Sequence, residues 1–361
     1  MALTTTTEIA GPVNVVFQVN LLRNAKALAP YYLGTEPAEI SEHSGTFTAK
    51  WRRIENLTPV TTALTELSGS ISFPTRQGVQ PSVTDLTATV AKYGNYILLN
   101  EEVDLINFNG QAAKLSEILG MNAGQSLNRL QRDIAEDNFT AVLAGAATTA
   151  TDIGGTVALA GLGLSEIATT VNQLNRQNAM LFLPKTEGSR NIGTTPIRSA
   201  YWGFCHVDTE EDIRTLTGFV PVEQYSSQTA VERGEFGSVG GVRWIATTEA
   251  SIDTGSGDTT TGSATVDVRG TTNRSDVYNT VIYGKEAVGS VGLGTRHVKE
   301  SYVVGDRLPG VQMISHGKGS AGSADPLNEV TTMGWKSWHA GVVLNSNWGR
   351  CIRHAASVLS A

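Results

Sequence analysis

The apolar pattern changes period several times along the 361 residues, and each change marks a different element. The clearest run lies before the midpoint. Leu115, Leu119, Ala123, Leu127, Leu130 and Ile134 recur at steps of three and four, and Ile118 and Val142 widen or extend the stripe. Glu117, Gln125, Arg129, Arg132 and Glu136 occupy the other side. This spacing lines one side of an α-helix with apolar groups. Asn109-Gly110 opens the segment and Asp152 to Gly155 lies beyond it. The pattern therefore predicts a helix over 110–146, roughly 50 Å long at 1.5 Å per residue. Gly120 and Gly124 fall inside it, each at a cost on the order of 1 kcal/mol relative to alanine. Two readings are open for the pair: close backbone approach or a bend, and simple tolerance within a well-packed helix.

Upstream, residues 1–60 are mixed and weakly periodic, with Pro12, Pro30, Pro37 and Pro59 interrupting them. One short helix over Asn20 to Ala29 is expected, and the rest reads as an extended arm. Such an arm either wraps a neighbouring subunit or is a frayed terminus. Residues 61–104 change to Thr, Val, Ile, Leu and Tyr. Ser70-Ile71-Ser72-Phe73 and Thr87-Ala88-Thr89-Val90 alternate, and the breaker-rich run 74–81 separates them. That combination predicts a β-hairpin with a long tip. The edges of an isolated hairpin are a pairing hazard unless another chain covers them.

Downstream, Ile167, Val171 and Leu174 predict a helix over Ser165 to Asn178, with Ser165 as N-cap. Strands are expected at 180–183, 200–204, 241–245, 277–282 and 337–344. Residues 253–275 (DTGSGDTTTGSATVDVRGTTNRS) form a low-complexity surface excursion. No repeat of solenoid length is present.

Composition narrows the class. Charged residues are 17% and apolar residues 40%, with Ala, Thr, Gly, Ser and Asn making up the difference. That suits a surface largely covered by other subunits through uncharged contacts. The formal net charge is −7. No basic stripe accompanies it, since Lys50, Arg52 and Arg53 have Glu55 beside them. A protein near DNA with this charge contains the DNA rather than reading it. Cys205 and Cys351 stand far apart and in no CxxC pattern, so neither a disulfide scaffold nor a zinc site is expected. The N-terminal stretch lacks the features of a signal peptide, and no run approaches the roughly 20 apolar residues of a membrane span. The expectation is a soluble chain with no membrane partner.

Candidate chemistry is sparse. His206, Asp208, Glu210, Glu211 and Asp212 form the densest group of possible ligands, and a hard cation is conceivable there. The favoured reading is structural: Asp208 or Thr209 caps a short helix whose first turn carries the acids. Gly284-Lys285 lacks the spacing and the following Ser or Thr of a phosphate loop. Gly161-Leu162-Gly163 breaks the dinucleotide fingerprint. The histidines at 43, 206, 297, 316, 339 and 354 show no metal spacing. Trp335, Trp338 and Trp348 are expected to pack rather than stack bases. Catalytic, cofactor-binding and metal residues are therefore expected to be none, with no cofactor.

The segment from Ile213 to Thr248 is specific in layout and poor in reactive groups. Gly218, Phe219, Val220, Pro221, Val222, Tyr225, Gly234, Glu235, Gly237, Gly241, Val242 and Arg243 resemble the central region of major capsid proteins of tailed double-stranded DNA bacteriophages. Further likenesses keep the family's order. They are 92–96 (KYGNY), 195–198 leading to 212–214, 277–278 leading to 284–287, and Asp325-Pro326-Leu327 with Gly334-Trp335-Lys336. The resemblance extends from about Leu57 to Ala355.

The resemblance implies an α+β Hong Kong 97-type capsid fold with an N-terminal arm, an extended β-hairpin loop, a long spine helix, and peripheral and axial domains. The expected division is 1–60 arm, 61–104 hairpin loop, 105–180 spine helix and start of the peripheral domain, 181–325 mainly axial domain, and 326–361 strands returning to the core. It implies a non-enzymatic protein that self-assembles into hexamers and pentamers around packaged double-stranded DNA, without sequence-specific binding. Its implied partners are further copies, a portal, and scaffolding or decoration proteins; its place is the virion, assembled in the bacterial cytoplasm. No covalent cross-link is expected. Rival classes are the shell of a cellular nanocompartment with the same fold, and a secreted β-rich enzyme or adhesin.

Overall fold

The computed structural model describes residues 29–40, 45–55, 57–59, 61, 80–102, 111–154, 161–182, 199–225, 234–259, 269–271, 274–293, 301–302, 310–320 and 325–357. Among the described residues the first element is a 3₁₀ turn at Pro30–Tyr32, with proline at its start, where a missing N–H costs least. Strands β1 (Glu36–Ile40), β2 (Thr48–Ile54), β3 (Val83–Thr89) and β4 (Ala91–Asn100) follow. Helix α1 (Gln111–Asn138) has 28 residues, which makes it about 42 Å long. After it come β5 (Thr140–Leu143), α2 (Leu164–Arg176), β6 (Tyr201–His206), α3 (Glu210–Arg214) and β7 (Val220–Pro221). Next are β8 (Glu235–Val239), β9 (Val242–Thr247), β10 (Ile252–Asp253), β11 (Gly270–Thr271), β12 (Arg274–Ser275) and β13 (Val277–Tyr283). The chain ends with β14 (Val288–Leu293), β15 (Ser301–Tyr302), β16 (Val311–His316), β17 (Val330–Val343) and β18 (Gly349–His354).

Strands β2 with β3 and β11 with β12 form separate two-stranded sheets, and two large sheets hold the rest. The first has the order β1-β14-β17-β16-β15, with β4 also paired to β17. Helix α1 packs on it: Leu119, Ala123 and Leu127 meet Val311, Met313, Met333 and Trp335, with Tyr93 and Ile97 of β4 at the margin. The second sheet has the order β5-β18-β13-β6-β9-β8-β7, with β10 on β13. Its β6 (YWGFCH) and β13 (VYNTVIY) are buried almost throughout, and the polar Asn279 and Thr280 of β13 are hydrogen-bonded, to Ser251 and His354 among others. The two sheets share the chain at the turn from β13 to β14, where Glu286 takes a left-handed φ of 61°.

Helix α1 differs from its expected form in two ways. It ends at Asn138, whose side chain donates to Ile134 O (2.8 Å), and Val142 belongs to β5 instead. Thr140–Leu143 is held by parallel pairing to Arg350–Arg353 of β18, which sheet geometry wins over a fortuitous helical step. Ile118 is 55% exposed and does not widen the stripe. It sits five positions before Ala123, about 140° around the helix from the buried line. Ser116, Gly120, Gly124, Asn128 and Gln131 are buried instead, so the two glycines lie on the packed side. Asn128 Oδ1 accepts from Tyr31 N (3.1 Å), and Leu127 O accepts from the Tyr32 hydroxyl (3.3 Å).

The hairpin also differs from the one expected within 61–104. Its strand β3 pairs with β2, from Thr48↔Thr89 to Ile54↔Val83, so the partner comes from the arm. Ala49, Trp51 and Ala88 face the body of the protein, against Val291 and Ala340. Ser70–Phe73, and all but the last residue of the helix expected over Asn20 to Ala29, lie outside the described residues. Helix α2 starts one residue early. Gly163 is its N-cap, and Glu166 rather than Ser165 satisfies the end, accepting from Gly163 N (3.1 Å) and Gly145 N (3.2 Å).

The excursion at 253–275 is pinned at both ends. Ser275 is fully buried, and its hydroxyl donates to Ile153 O (2.5 Å). Gly257 N donates to Ser275 O and Asp258 N to Ile153 O, while β11 and β12 close the far side. Residues 260–268 lie outside the described set.

Candidate assembly surface

The described residues of the Ile213-to-Thr248 segment pack closely on one another. Gly218, Gly234 and Gly241 hold φ of 87°, 83° and 82°, a region that side chains with a Cβ rarely occupy. Gly237 leaves room for the Phe219 ring, which a Cβ there would strike, and Phe219 stacks on Phe236 with centroids 5.9 Å apart. Val220 and Pro221 of β7 pair with Ser238 and Gly237 of β8. Beneath them Glu235 and Arg243 form a buried ion pair at 2.5 Å. The Tyr225 hydroxyl donates to Glu235 (3.2 Å), and the Arg243 guanidinium lies 4.5 Å from the Trp202 ring centre. Burial pushes the Tyr225 hydroxyl up to about 12, so it stays a donor. The motif residues thus secure one another.

The acidic group is structural in its geometry. Thr209 stands at the N-cap position of α3 but makes no side-chain cap there; the side-chain cap belongs to the 3₁₀ turn before it, where His206 Nδ1 accepts from Asp208 N at 3.1 Å. Thr209 donates back to His206 O (2.8 Å). Asp208 holds Arg269 at 3.2 Å and accepts from the Tyr278 hydroxyl at 2.9 Å. Glu210 pairs with Arg214 one turn on, and Asp212 accepts from Ser357 N (3.0 Å) and from the Ser357 hydroxyl. Burial lowers the His206 pKa despite Asp208 beside it. Among the described residues, no three His, Cys, Asp or Glu side chains come together to hold a metal ion.

The other candidates are absorbed by packing. Lys285 N donates to Met180 O (2.8 Å) and Gly284 N to Trp348 O (3.0 Å), which fixes that Gly-Lys pair as a turn. Trp335 donates to Asn122 (2.9 Å), Trp348 donates to Gln177 O (3.1 Å), and Trp338 stacks with Phe47. His339 is buried against Tyr32, and burial drops its pKa to about 4. His354 is buried against Thr280. His43 and His297 lie outside the described residues. Cys205 and Cys351 are free thiols, both buried, and burial raises each to about 12. A thiol held protonated in this way is a poor nucleophile.

Exposed apolar groups recur on three elements. The hairpin of β2 and β3 carries polar groups outward, where Lys50 and Arg52 share Asp85. Its far end is apolar, with Ile54, Leu57 and Val83 exposed. Strand β4 turns Tyr93 and Ile97 to the core and leaves Tyr96 (67%) and Leu98 (61%) in solvent on the opposite face. Helix α1 leaves Ile118 and Met121 exposed. Arg53 anchors the hairpin to the body by donating to Leu344 O (3.0 Å). Sequence reasoning located one hairpin strand but not this surface, because exposure depends on which faces the fold uses up.

No family model and no curated protein matches the sequence. Solved phage capsid structures match the fold across most of the chain. The capsid of Ralstonia phage GP4 aligns with a TM-score of 0.57 at 10% identity, covering 92% of this chain and 89% of that one. The mature capsid of bacteriophage PhiM1 gives 0.51 at 10% identity, covering 90% and 87%. The capsid of cyanophage P-SCSP1u gives 0.50 at 15% identity, covering 90% and 87%. The chain therefore has the α+β fold of phage capsid proteins. At these identities the likeness is one of fold.

Proposed function

We propose that this chain is the major capsid protein of a tailed double-stranded DNA bacteriophage, self-assembling into hexamers and pentamers that close an icosahedral shell. The observation that carries the reading is the extent of the match: about nine-tenths of the chain aligns with about nine-tenths of capsid subunits. Little of the chain is left over for a separate activity. The physical account of assembly agrees. A subunit with apolar groups exposed on a hairpin, a strand face and a helix gains by burying them against copies of itself. Closed shells need repeated interfaces that tolerate small angular differences.

The net charge of −7 favours containing a polyanion over gripping it. In this reading the DNA is enclosed without sequence readout, no cofactor takes part, and the protein is not an enzyme. Portal, scaffolding and decoration proteins are the expected partners, the arm, hairpin, peripheral and axial divisions are its working parts, and assembly takes place in the host cytoplasm. The test is negative-stain microscopy with nucleic-acid and protein analysis of purified particles. Shells are expected. A protein cargo in place of nucleic acid, in particles from the native source, would select a nanocompartment shell instead.

A further inference from the structure

We infer that the face of the first sheet turned away from α1 carries a docking site for an acidic, extended segment of a partner protein, centred on Lys92 and Lys336. The inference takes the shell reading above as its premise and names where one of the shell's partners binds. Strand register builds the site. On β4, Tyr93 and Ile97 turn toward α1, so Lys92, Gly94, Tyr96 and Leu98 turn away from it. Lys92 stands opposite Trp338 of β17, and Lys336 stands opposite Gly94. The two lysines, far apart in sequence, are therefore diagonal neighbours on one face, within about 8 Å of each other.

The middle of this face is hollow. Gly334 of β17 lies between Ile314 of β16 and Tyr96 of β4. A Cβ at Gly94 would fall 2.5 Å from Trp335 O, and one at Gly334 would fall 2.9 Å from Asn95 O, so neither position takes a side chain. The result is a hollow of about 450 Å³ walled by Tyr96, Ile314, His316 and the two lysines. Among the described residues, those that line it include no aspartate or glutamate. The lysine ion pairs of the described residues belong to Lys50, Lys285 and Lys318, not to Lys92 or Lys336. Lys92 lies 5.9 Å from the Trp338 ring centre, and Trp338 stacks on the exposed Phe47. In a chain of net charge −7, two uncompensated cations beside a tyrosine that is 67% exposed reverse the sign locally.

Charge complementarity selects an anion, and the form of the site selects a peptide. A duplex held by its phosphates needs a stripe of cations, and an acidic subunit repels a long polyanion. Two lysines this close together meet one or two carboxylates. The hollow also borders the edge of β4 that no described strand pairs with, where an extended peptide can bond its backbone and a duplex cannot. Acidic side chains opposite Lys92 and Gly94 then reach the two lysines, and apolar ones opposite Tyr96 and Leu98 complete the contact.

The test uses the full-length protein, both as subunits and as assembled particles. Each is titrated with a short synthetic peptide that alternates threonine with glutamate in its first half and with valine in its second. A copy with lysine in place of glutamate and a short DNA duplex are run beside it. The acidic peptide is expected to bind subunits and particles at least about tenfold more tightly than its lysine copy. Lys92→Gln with Lys336→Gln should weaken that binding about tenfold. In the unaltered protein the amides of β4 should exchange about tenfold more slowly once the peptide is bound, a readout that needs no variant to fold. Equal affinity for the two peptides, or none for either, would overturn the inference and leave the shell reading intact. Tighter binding of the duplex than of the acidic peptide would assign the face to nucleic acid instead. Binding to subunits but not to particles would show that neighbouring copies cover the face, which defeats a partner site. Peptide binding by a protein that never forms particles would overturn the shell reading while the binding site stands.

Discussion

Glu136 sits in the last turn of α1 with its side chain mostly buried, accepting from the Ser251 hydroxyl at 2.6 Å. Arg132 Nε lies 3.8 Å from that same oxygen, and the second oxygen, Oε1, is buried without a hydrogen-bond partner. Burial raises its pKa from 4.5 to about 7, against the pull of Ser251 and Arg132. A raised carboxyl pKa means that the folded protein keeps a proton the unfolded chain has released. The resulting stability is full below pH 4.5 and is lost as pH rises through about 7. His339, lowered from 6.5 to about 4 by burial, has the opposite sign: its contribution is present above pH 6.5 and fades as pH falls. The window from pH 6.5 to 8 therefore reads Glu136 against that background. Glu136→Gln should flatten the fall in urea midpoint over this window and stabilise the subunit at pH 8 by up to about 3 kcal/mol. An unchanged slope would show that the carboxylate is solvated. At the Glu235–Arg243 pair, Arg243→Met should cost about 3–5 kcal/mol, because it leaves the buried Glu235 carboxylate without its cation. Adding Glu235→Gln should recover part of that loss, and the double-mutant cycle in urea measures the coupling.

At the scale of elements, the buried line of α1 decides which substitutions matter. Leu127 is fully buried, so Leu127→Ala should cost about 2–5 kcal/mol, whereas Ile118→Ala should stay within about 0.5 kcal/mol in the unassembled subunit. Equal losses at the two positions by chemical denaturation would mean that the helix face is misplaced. Leu119, Ala123 and Leu127 were legible because their spacing survives any sheet they pack on. The helix end was not, since Val142 continues the step of four and only its pairing partner, Arg350 to Arg353, makes it a strand. Strand β2 was hidden for a related reason. Lys50, Arg52 and Arg53 read as a charged arm until Asp85, Glu55 and Leu344 O appear opposite them. The cap before α3 was missed because histidine is an unusual N-cap, and no spacing rule brings Tyr278 and Arg269 onto Asp208. The excursion separates in the same way into a stem and a tip. Thr259 bridges to Arg274, so replacing 260–268 with a short Gly-Ser linker should leave folding intact. Extending the replacement to 254–274 removes Gly257, Asp258 and Arg274 from the bonds that hold Ser275 and Ile153, and thermal unfolding should shift down measurably.

At the scale of the whole molecule, two large sheets and one long helix build a subunit that leaves apolar groups exposed on a hairpin, a strand face and a helix. Ile54 and Val83 at the end of the hairpin, Tyr96 and Leu98 on β4, and Ile118 on α1 are all exposed. They lie on separate elements, which suits contact with several neighbours at once. Within the central segment that resembles capsid proteins, Glu235 pairs with Arg243 in the interior and Phe219 packs against Gly237, whereas Gly218, Val220, Gly234 and Gly241 stay exposed. The likeness in sequence therefore reports the fold, and assembly has to be measured on its own. The most direct measurement is electron microscopy of the purified full-length protein at increasing concentration, paired with sedimentation of the same samples. Rings of five and six subunits or closed icosahedral shells are predicted. A compact monomer at every concentration, in buffers of low and high salt and with crowding agents present, would contradict the account.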